Sequence, residues 1–300
     1  MNDSAIEHVP VLASKLAERV SLPQDAVMVD TTVGHGGHSL LFGLFLGPAG
    51  VIVGLDCDRK AIQRAQSSLK NLSCSVILRH ANFAEIRDIL RTEGIEKADF
   101  ILADLGISSG QLADPEKGLS FDKDMPLDMR IDERIKRTAA DIVNSADEKM
   151  LADLIYRYGE DRASRRIARF IVESRQRQAI TTTGQLASIV CRALKSKKRK
   201  WQRKHPATRT FQALRIAVND EMKNLEELLA AVPELLKTRG QVAIISFHSL
   251  EDRLVKNDFR KKNQDGIYRL KTKKPVRPDE KEIAANRRSR SAKLRIAEKI

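Results

Sequence analysis

The stretch Ala26-Val27-Met28-Val29-Asp30-Thr31-Thr32-Val33-Gly34-His35-Gly36-Gly37-His38 decides the fold. Its first four residues are a short apolar run of the kind buried on both faces of a parallel sheet, and the run ends in a carboxylate. A glycine-rich turn follows. Residues 38–45 then have helical spacing until Gly47-Pro48-Ala49-Gly50 breaks it. The pattern repeats: Val51 to Leu55 reads as a second strand ending in Asp56, and Asp58 is placed to cap a helix over Arg59–Leu69. Residues 75–78 read as a third strand, 83–93 as a helix, and 100–103 as a fourth strand ending in Asp104. Strands alternating with helices in this way are βαβ units and predict a parallel sheet.

Outside these repeats the reading changes. Residues 8–20 have helix-compatible spacing, whereas 105–219 show polar turns and then helical periodicity without a strand. The sheet rhythm returns with a helix over 221–237, ended by Arg239-Gly240, and an apolar strand over 241–247. Residues 266–271 and 292–297 are expected to close the sheet as an antiparallel hairpin. The fold class is therefore α/β: a Rossmann-like, doubly wound, mostly parallel sheet with an inserted helical domain. The expected limits are 1–110 and 215–300 for the sheet domain and 111–214 for the insertion.

The 300 residues carry 54 Lys+Arg against 40 Asp+Glu, a net charge of +14. The charge is unevenly placed. Residues 1–111 sum to −3, 112–161 to −5 and 220–252 to −4, whereas 162–219 sum to +15 and 253–300 to +11. Two basic segments on an acidic body, one of them interrupted by Trp201, predict a phosphate-bearing partner. Lys197, Lys198, Arg199, Lys200, Trp201 and Arg203 are the candidate nucleic-acid contacts, with Trp201 available for stacking or for packing. Nucleic acid is favoured over membrane because the Lys run has no continuous apolar face. The uncharged stretch from Ser39 to Leu55 is too short and too rich in glycine to span a bilayer. MNDSAIEHVP lacks the apolar segment of a secretory signal, and Cys57, Cys74 and Cys191 contain no CxxC pair. A cytoplasmic, reducing setting is expected.

The glycines after the first strand allow a tight turn and close approach of a ligand, and Asp56 is placed to accept both hydroxyl hydrogens of an adenosine ribose. A dinucleotide fingerprint counted from Gly34 requires a third glycine where this chain has Ser39. S-adenosylmethionine has no phosphate to cradle. Its ribose suits Asp56, its adenine suits a wall such as Phe83, and Asp104 ends a strand beside the switch point where ligands bind in such sheets. These features favour a methyltransferase over a dehydrogenase. His35 and His38 lack a third ligand, so no metal is expected.

At this point the sequence resembles a specific family. The motifs are Gly34-His35-Gly36-Gly37-His38-Ser39, Asp104-Leu105-Gly106-Ile107-Ser108-Ser109 with Gln111, and Pro126-Leu127-Asp128-Met129-Arg130. The run from Lys204 to Arg215 (KHPATRTFQALR), that from Ile245 to Arg253 (ISFHSLEDR), and Ser291 to Ala297 complete the set. They resemble the bacterial ribosomal RNA small subunit methyltransferase H family, which methylates a cytidine N4 of 16S rRNA with S-adenosylmethionine. The resemblance implies a class I methyltransferase domain with an inserted helical domain, 16S rRNA of the small ribosomal subunit as partner, and cofactor contacts at Gly36, Gly37, His38, Asp56, Phe83, Asp104 and Gln111. Met125, Leu119 and Arg287 depart from the family pattern, which has Gly, an aromatic and Pro there.

Methyl transfer from a sulfonium is an in-line displacement that mainly requires alignment and exclusion of water. Many amino-methyltransferases carry an Asn/Asp-Pro-Pro-aromatic motif after the fourth strand. This chain has Asp104-Leu105-Gly106-Ile107 instead, so Asp104 is a candidate amine acceptor and the other catalytic groups stay unassigned. No cysteine follows the fourth strand, which disfavours carbon-5 methylation of cytosine. Two alternatives remain: another RNA or DNA methyltransferase on this scaffold, and a non-catalytic RNA-binding module. Monomer and homodimer are both compatible with the sequence.

Overall fold

The computed structural model describes residues 10–194 and 205–300. The chain divides into two units, one formed by 1–106 with 222–300 and the other by 107–221. The first unit is built on a seven-stranded sheet: β1 (Val27–Asp30), β2 (Val51–Asp56), β3 (Ser75–His80), β4 (Ala98–Asp104), β5 (Leu236–Ser246), β6 (Tyr268–Leu270) and β7 (Lys293–Lys299). Their order is β3-β2-β1-β4-β5-β7-β6, parallel from β3 to β5, with β7 antiparallel to both β5 and β6. The chain runs outward from β1 to β3 and then returns to place β4 on the other side of β1. That reversal is where ligands bind in open α/β sheets, outside the carboxyl ends of the strands.

Alternation along the strands divides the core between two faces. Val29, Val53, Ile101, Ala103, Val242 and Ile244 pack with Leu225, Leu228, Ile86, Leu90 and Phe259 of the covering helices. Their neighbours Met28, Ile52, Phe100, Leu102, Ala243 and Ile245 pack on the opposite face with Leu12, Leu16, Phe42, Leu294 and Ile296. Burial on both faces is why these strands read as continuous apolar runs rather than as alternating ones.

The second unit is helical, with helices Ser109–Ala113, Ala139–Ser145, Glu148–Gly159, Ser164–Arg175, Thr183–Ala193 and Thr208–Val218 around Ile142, Leu151, Ile155, Ile167, Leu186 and Leu214. Gly159 allows two of them to touch. A Cβ there would stand 2.6 Å from the carbonyl oxygen of Arg209. Leu119 and Met125, two of the departures from the family pattern, are both buried, and Met125 is tied to Thr183 by backbone and hydroxyl hydrogen bonds of 2.8 and 3.0 Å.

Several expectations are corrected. The segment 83–93 is a 3-10 turn, Phe83–Glu85, followed by a helix, Ile86–Thr92, because Asn82 and Glu85 close a capping box. The helix Glu221–Leu235 passes into β5 at Leu236 without a turn, and the β4–β5 register shifts between Ala98 and Phe100, with Arg239 at φ 65°. β6 and β7 do pair antiparallel, but the helix Glu280–Ala285 separates them and β7 inserts between β5 and β6. Only Ala13–Ala17 is helical in the described part of 8–20, since Leu12 adopts φ 57°. The helix at 38–45 is instead Gly37–Gly43, which leaves Leu44 and Phe45 exposed beyond its end. The expected limit at 214/215 falls inside the helix Thr208–Val218, whose Leu214 and Val218 share one core.

Candidate active site

Three carboxylates close three adjacent strands at one end of the sheet. Asp56 ends β2, Asp30 ends β1 and Asp104 ends β4. The turn after β1 places Gly34 N as donor to Asp56 Oδ2 at 2.9 Å, while Asp58 N donates to Asp56 Oδ1 at 2.9 Å. Each Asp56 oxygen keeps a further lone pair for a hydroxyl. Burial pushes its carboxyl up to about 6, against the pull of those two N–H groups. Gly36 sits at φ 85°, where a side chain would be strained, and opens the helix Gly37–Gly43.

His38, on the first turn of that helix, is buried, with Nε2 3.5 Å from Asp104 Oδ2. Burial pulls its pKa down, but Asp104 and the charges of Asp30 and Glu282 outweigh it, so the net shift is upward. At 3.5 Å the contact is longer than a well-formed hydrogen bond. Neither ring nitrogen of His38 nor Asp104 Oδ1 has a hydrogen-bond partner among the described residues, although all three atoms are buried. Such orphaned groups are costly unless something binds them.

The supporting residues were not singled out by the sequence. Thr32 Oγ1 accepts from Asp104 N at 2.6 Å, and Thr31 Oγ1 donates to Leu102 O at 2.9 Å, so the turn after β1 is tied to β4. Ser39, at the place of a fingerprint glycine, is fully buried and donates to Asp30 Oδ2 at 2.7 Å. With Thr32 N also donating, Asp30 is held in place, while burial raises its pKa. A small hydroxyl residue nine positions beyond a strand-ending acid was the available signal for Ser39.

Gly36, Gly37, His38, Asp56, Phe83 and Asp104 thus belong to one unit, and Phe83 is half-buried at the start of its 3-10 turn after β3. Gln111 belongs to the other unit. It is buried, and its Oε1 accepts from Ser108 N at 2.9 Å in a capping box that starts the helix Ser109–Ala113. Lys197, Lys198, Arg199, Lys200, Trp201 and Arg203 lie outside the described residues. Among the described residues no helix is long and apolar enough to cross a membrane.

The family model described as the MraW methylase family matches residues 5–300. The chain belongs to this family. It is 44% identical over 310 residues to "Ribosomal RNA small subunit methyltransferase H" of Syntrophobacter fumaroxidans, covering 98% of this chain and 97% of that protein. It is 47% identical over 293 residues to the protein of the same name from Cyanothece sp., covering 98% and 95%. The same name applies to the relative from Acidobacterium capsulatum, 44% identical over 299 residues, covering 97% and 98%. The family resemblance of the motifs and the α/β architecture agree with this membership, and the chain is a methylase. Its sheet unit is interrupted in sequence between β4 and β5 by the helical unit.

Proposed function

We propose that this methylase transfers a methyl group from S-adenosylmethionine to the N4 amine of a cytidine in 16S rRNA of the small ribosomal subunit, in the cytoplasm. The observation that carries the reading is the family match over nearly the whole chain, to relatives that bear one name. The site fits the cofactor in its donor set. Asp56 has lone pairs for two ribose hydroxyls, and the half-buried Phe83 offers an apolar wall to adenine. Asp104 Oδ1 is a buried acceptor without a donor among the described residues, which suits an ammonium or an amine. Gly36, with φ 85°, Gly37 and His38 are the further cofactor contacts that the resemblance implies, and His38 Nε2 lies 3.5 Å from Asp104 Oδ2. Gln111 is the remaining cofactor contact that the family resemblance implies.

The bound cofactor supplies an electrophilic methyl group on a sulfonium. The protein's tasks are to hold donor and amine in line and to exclude water. An exocyclic cytosine amine is a poor nucleophile because its lone pair is delocalised into the ring. A carboxylate accepting from one of its hydrogens, the role assigned to Asp104, restores density to the nitrogen. The base must be unstacked or already exposed to reach the site.

The test is incubation of small ribosomal subunits, prepared from cells lacking this protein, with methyl-labelled S-adenosylmethionine. Ribonuclease-sensitive label is expected with the wild-type protein and a large loss with Asp56→Ala. Label that resists ribonuclease and yields to protease refutes an RNA substrate.

A further inference from the structure

Between β6 and β7 the chain forms an arm, residues 271–292, in the same unit as the sheet. The register places this arm. Asp104 is level with Ile245, and Ile245 is level with Leu294 of the antiparallel β7. Leu294 and Val276 exchange two backbone hydrogen bonds of 2.9 Å. With strands ~4.8 Å apart, Leu294 stands about 10 Å across the sheet from Asp104, and Val276 one strand spacing farther. The arm therefore lies at the carboxyl ends of the parallel strands, on the rim that carries Asp30, Asp56 and Asp104. Glu282 fastens it there, its Oε1 accepting from Leu12 N at 2.6 Å.

This arm is cationic, and among the described residues most of its cations have no ion-pair partner. Lys273, Lys274, Arg277, Arg287, Arg288 and Arg290 are all exposed, and none has an ion-pair partner among the described residues. The acids nearby are engaged elsewhere: Asp279 with Lys15, Glu298 with Arg269 and Lys271, and Asp252 with Lys293 and Arg295. Glu280 is exposed on the arm and offsets only a small part of its charge. The turn Arg287–Ser291 is ordered from within. Ser289 is fully buried and donates to Asn286 O at 2.8 Å, Asn286 Oδ1 accepts from Arg288 N at 3.2 Å, and Ala292 N donates to Ser289 O at 2.7 Å. Arg287, Arg288 and Arg290 thus emerge around a buried serine on a preformed support.

We propose that this arm is a phosphate-binding surface for the RNA strand carrying the target base, separate from the lysine-rich run at 195–204. The proposal rests on the reading of the protein as an rRNA methyltransferase. Like charges held together without counter-charges repel, and a polyanion relieves that repulsion. Phosphate contacts carry no sequence information, but they set position and register. An arm on the rim of the transfer site would hold the strand beside the place where one base must enter.

The test uses the full chain with Arg287, Arg288 and Arg290 each replaced by Gln. Its binding to a fluorescent single-stranded RNA oligonucleotide is followed by anisotropy across a salt series, with S-adenosylmethionine binding measured by calorimetry. Loss of three phosphate contacts should make the slope of log affinity against log salt shallower by about 2. Affinity at ~0.1 M salt should fall roughly tenfold to a hundredfold. Cofactor affinity should stay unchanged, and the corresponding Arg→Lys variant should keep the wild-type slope. An unchanged slope overturns the proposal, as does a slope change that the Lys variant shares. Tighter wild-type binding to phosphatidylglycerol vesicles than to RNA at equal salt also overturns it. Failure of the substrate reading is distinguishable: a wild-type protein that labels no small-subunit RNA, yet loses slope in the Gln variant, keeps the surface and loses the substrate.

Discussion

Asp56 holds its negative charge against its surroundings, and that gives the site a pH signature. Its free-state pKa of about 6 lies above the ordinary carboxylate value because burial disfavours the anion. In the proposed cofactor site two ribose hydroxyls would donate to it and favour the anion, so cofactor binding would lower that pKa and release a proton. Affinity for S-adenosylmethionine should therefore rise with pH through about 6 and level off above it. The loss at pH 5 relative to pH 7 should be roughly tenfold, one unit of pKa being 1.36 kcal/mol. Asp56→Asn should flatten the profile and weaken binding by about tenfold to a hundredfold at pH 7.5, the range for hydrogen bonds to a charged group. Calorimetry across pH in buffers of different ionisation enthalpy reads both effects, and a wild-type profile flat between pH 5 and 7 contradicts the assignment. Asp56 and Asp104 were legible because an acid at the end of an apolar run is a local pattern. Thr32, Ser39 and Glu282 were not, since their bonds to Asp104 N, Asp30 Oδ2 and Leu12 N form only when distant segments meet.

At the scale of elements, the turn after β1 and the helices over the sheet determine whether those residues meet at all. Gly36→Ala forces a side chain into a left-handed backbone at φ 85° and brings its Cβ within 3.2 Å of Leu69 Cγ. The expected cost is about 1–2 kcal/mol, read as a lower urea midpoint with unchanged slope. Leu228→Ala empties part of the face packed against β1, β4 and β5 and should cost about 2–5 kcal/mol. Losses below 1 kcal/mol in urea titration would show that this helix is not part of the core. The helix Arg59–Leu69 was legible to the residue because Asp58 caps it, its side chain accepting from Lys60 N at 2.9 Å. The junction of the helix Glu221–Leu235 with β5 was not legible. Arg239-Gly240 reads as a stop signal, but Arg239 takes the positive φ within the strand that follows. Likewise, β6 and β7 are neighbours in the sheet although a helix and a 3-10 turn separate them in sequence.

At the scale of the molecule, each of the two units packs around hydrophobic residues of its own, and the charge is unevenly divided along the chain. The sheet unit holds the strand-end carboxylates and also the segment from 253 onward, which carries +11, whereas the segment 162–219, which carries +15, belongs to the helical unit. Replacing Lys197, Lys198, Arg199 and Lys200 with Gln should weaken binding to small ribosomal subunits and make it less salt-dependent. Cofactor affinity should remain at the wild-type value in the same calorimetric assay, and a parallel loss of cofactor binding would contradict that expectation. The +14 of the whole chain announced only a polyanionic partner; its partition between segments, and the arm beside the transfer rim, say where that partner would lie. The most direct measurement is nucleoside mass spectrometry of 16S rRNA from small subunits labelled by this protein with methyl-labelled S-adenosylmethionine. The predicted result is label in N4-methylcytidine at a single position; label on cytosine C5 or on a ribose 2′-hydroxyl would contradict it.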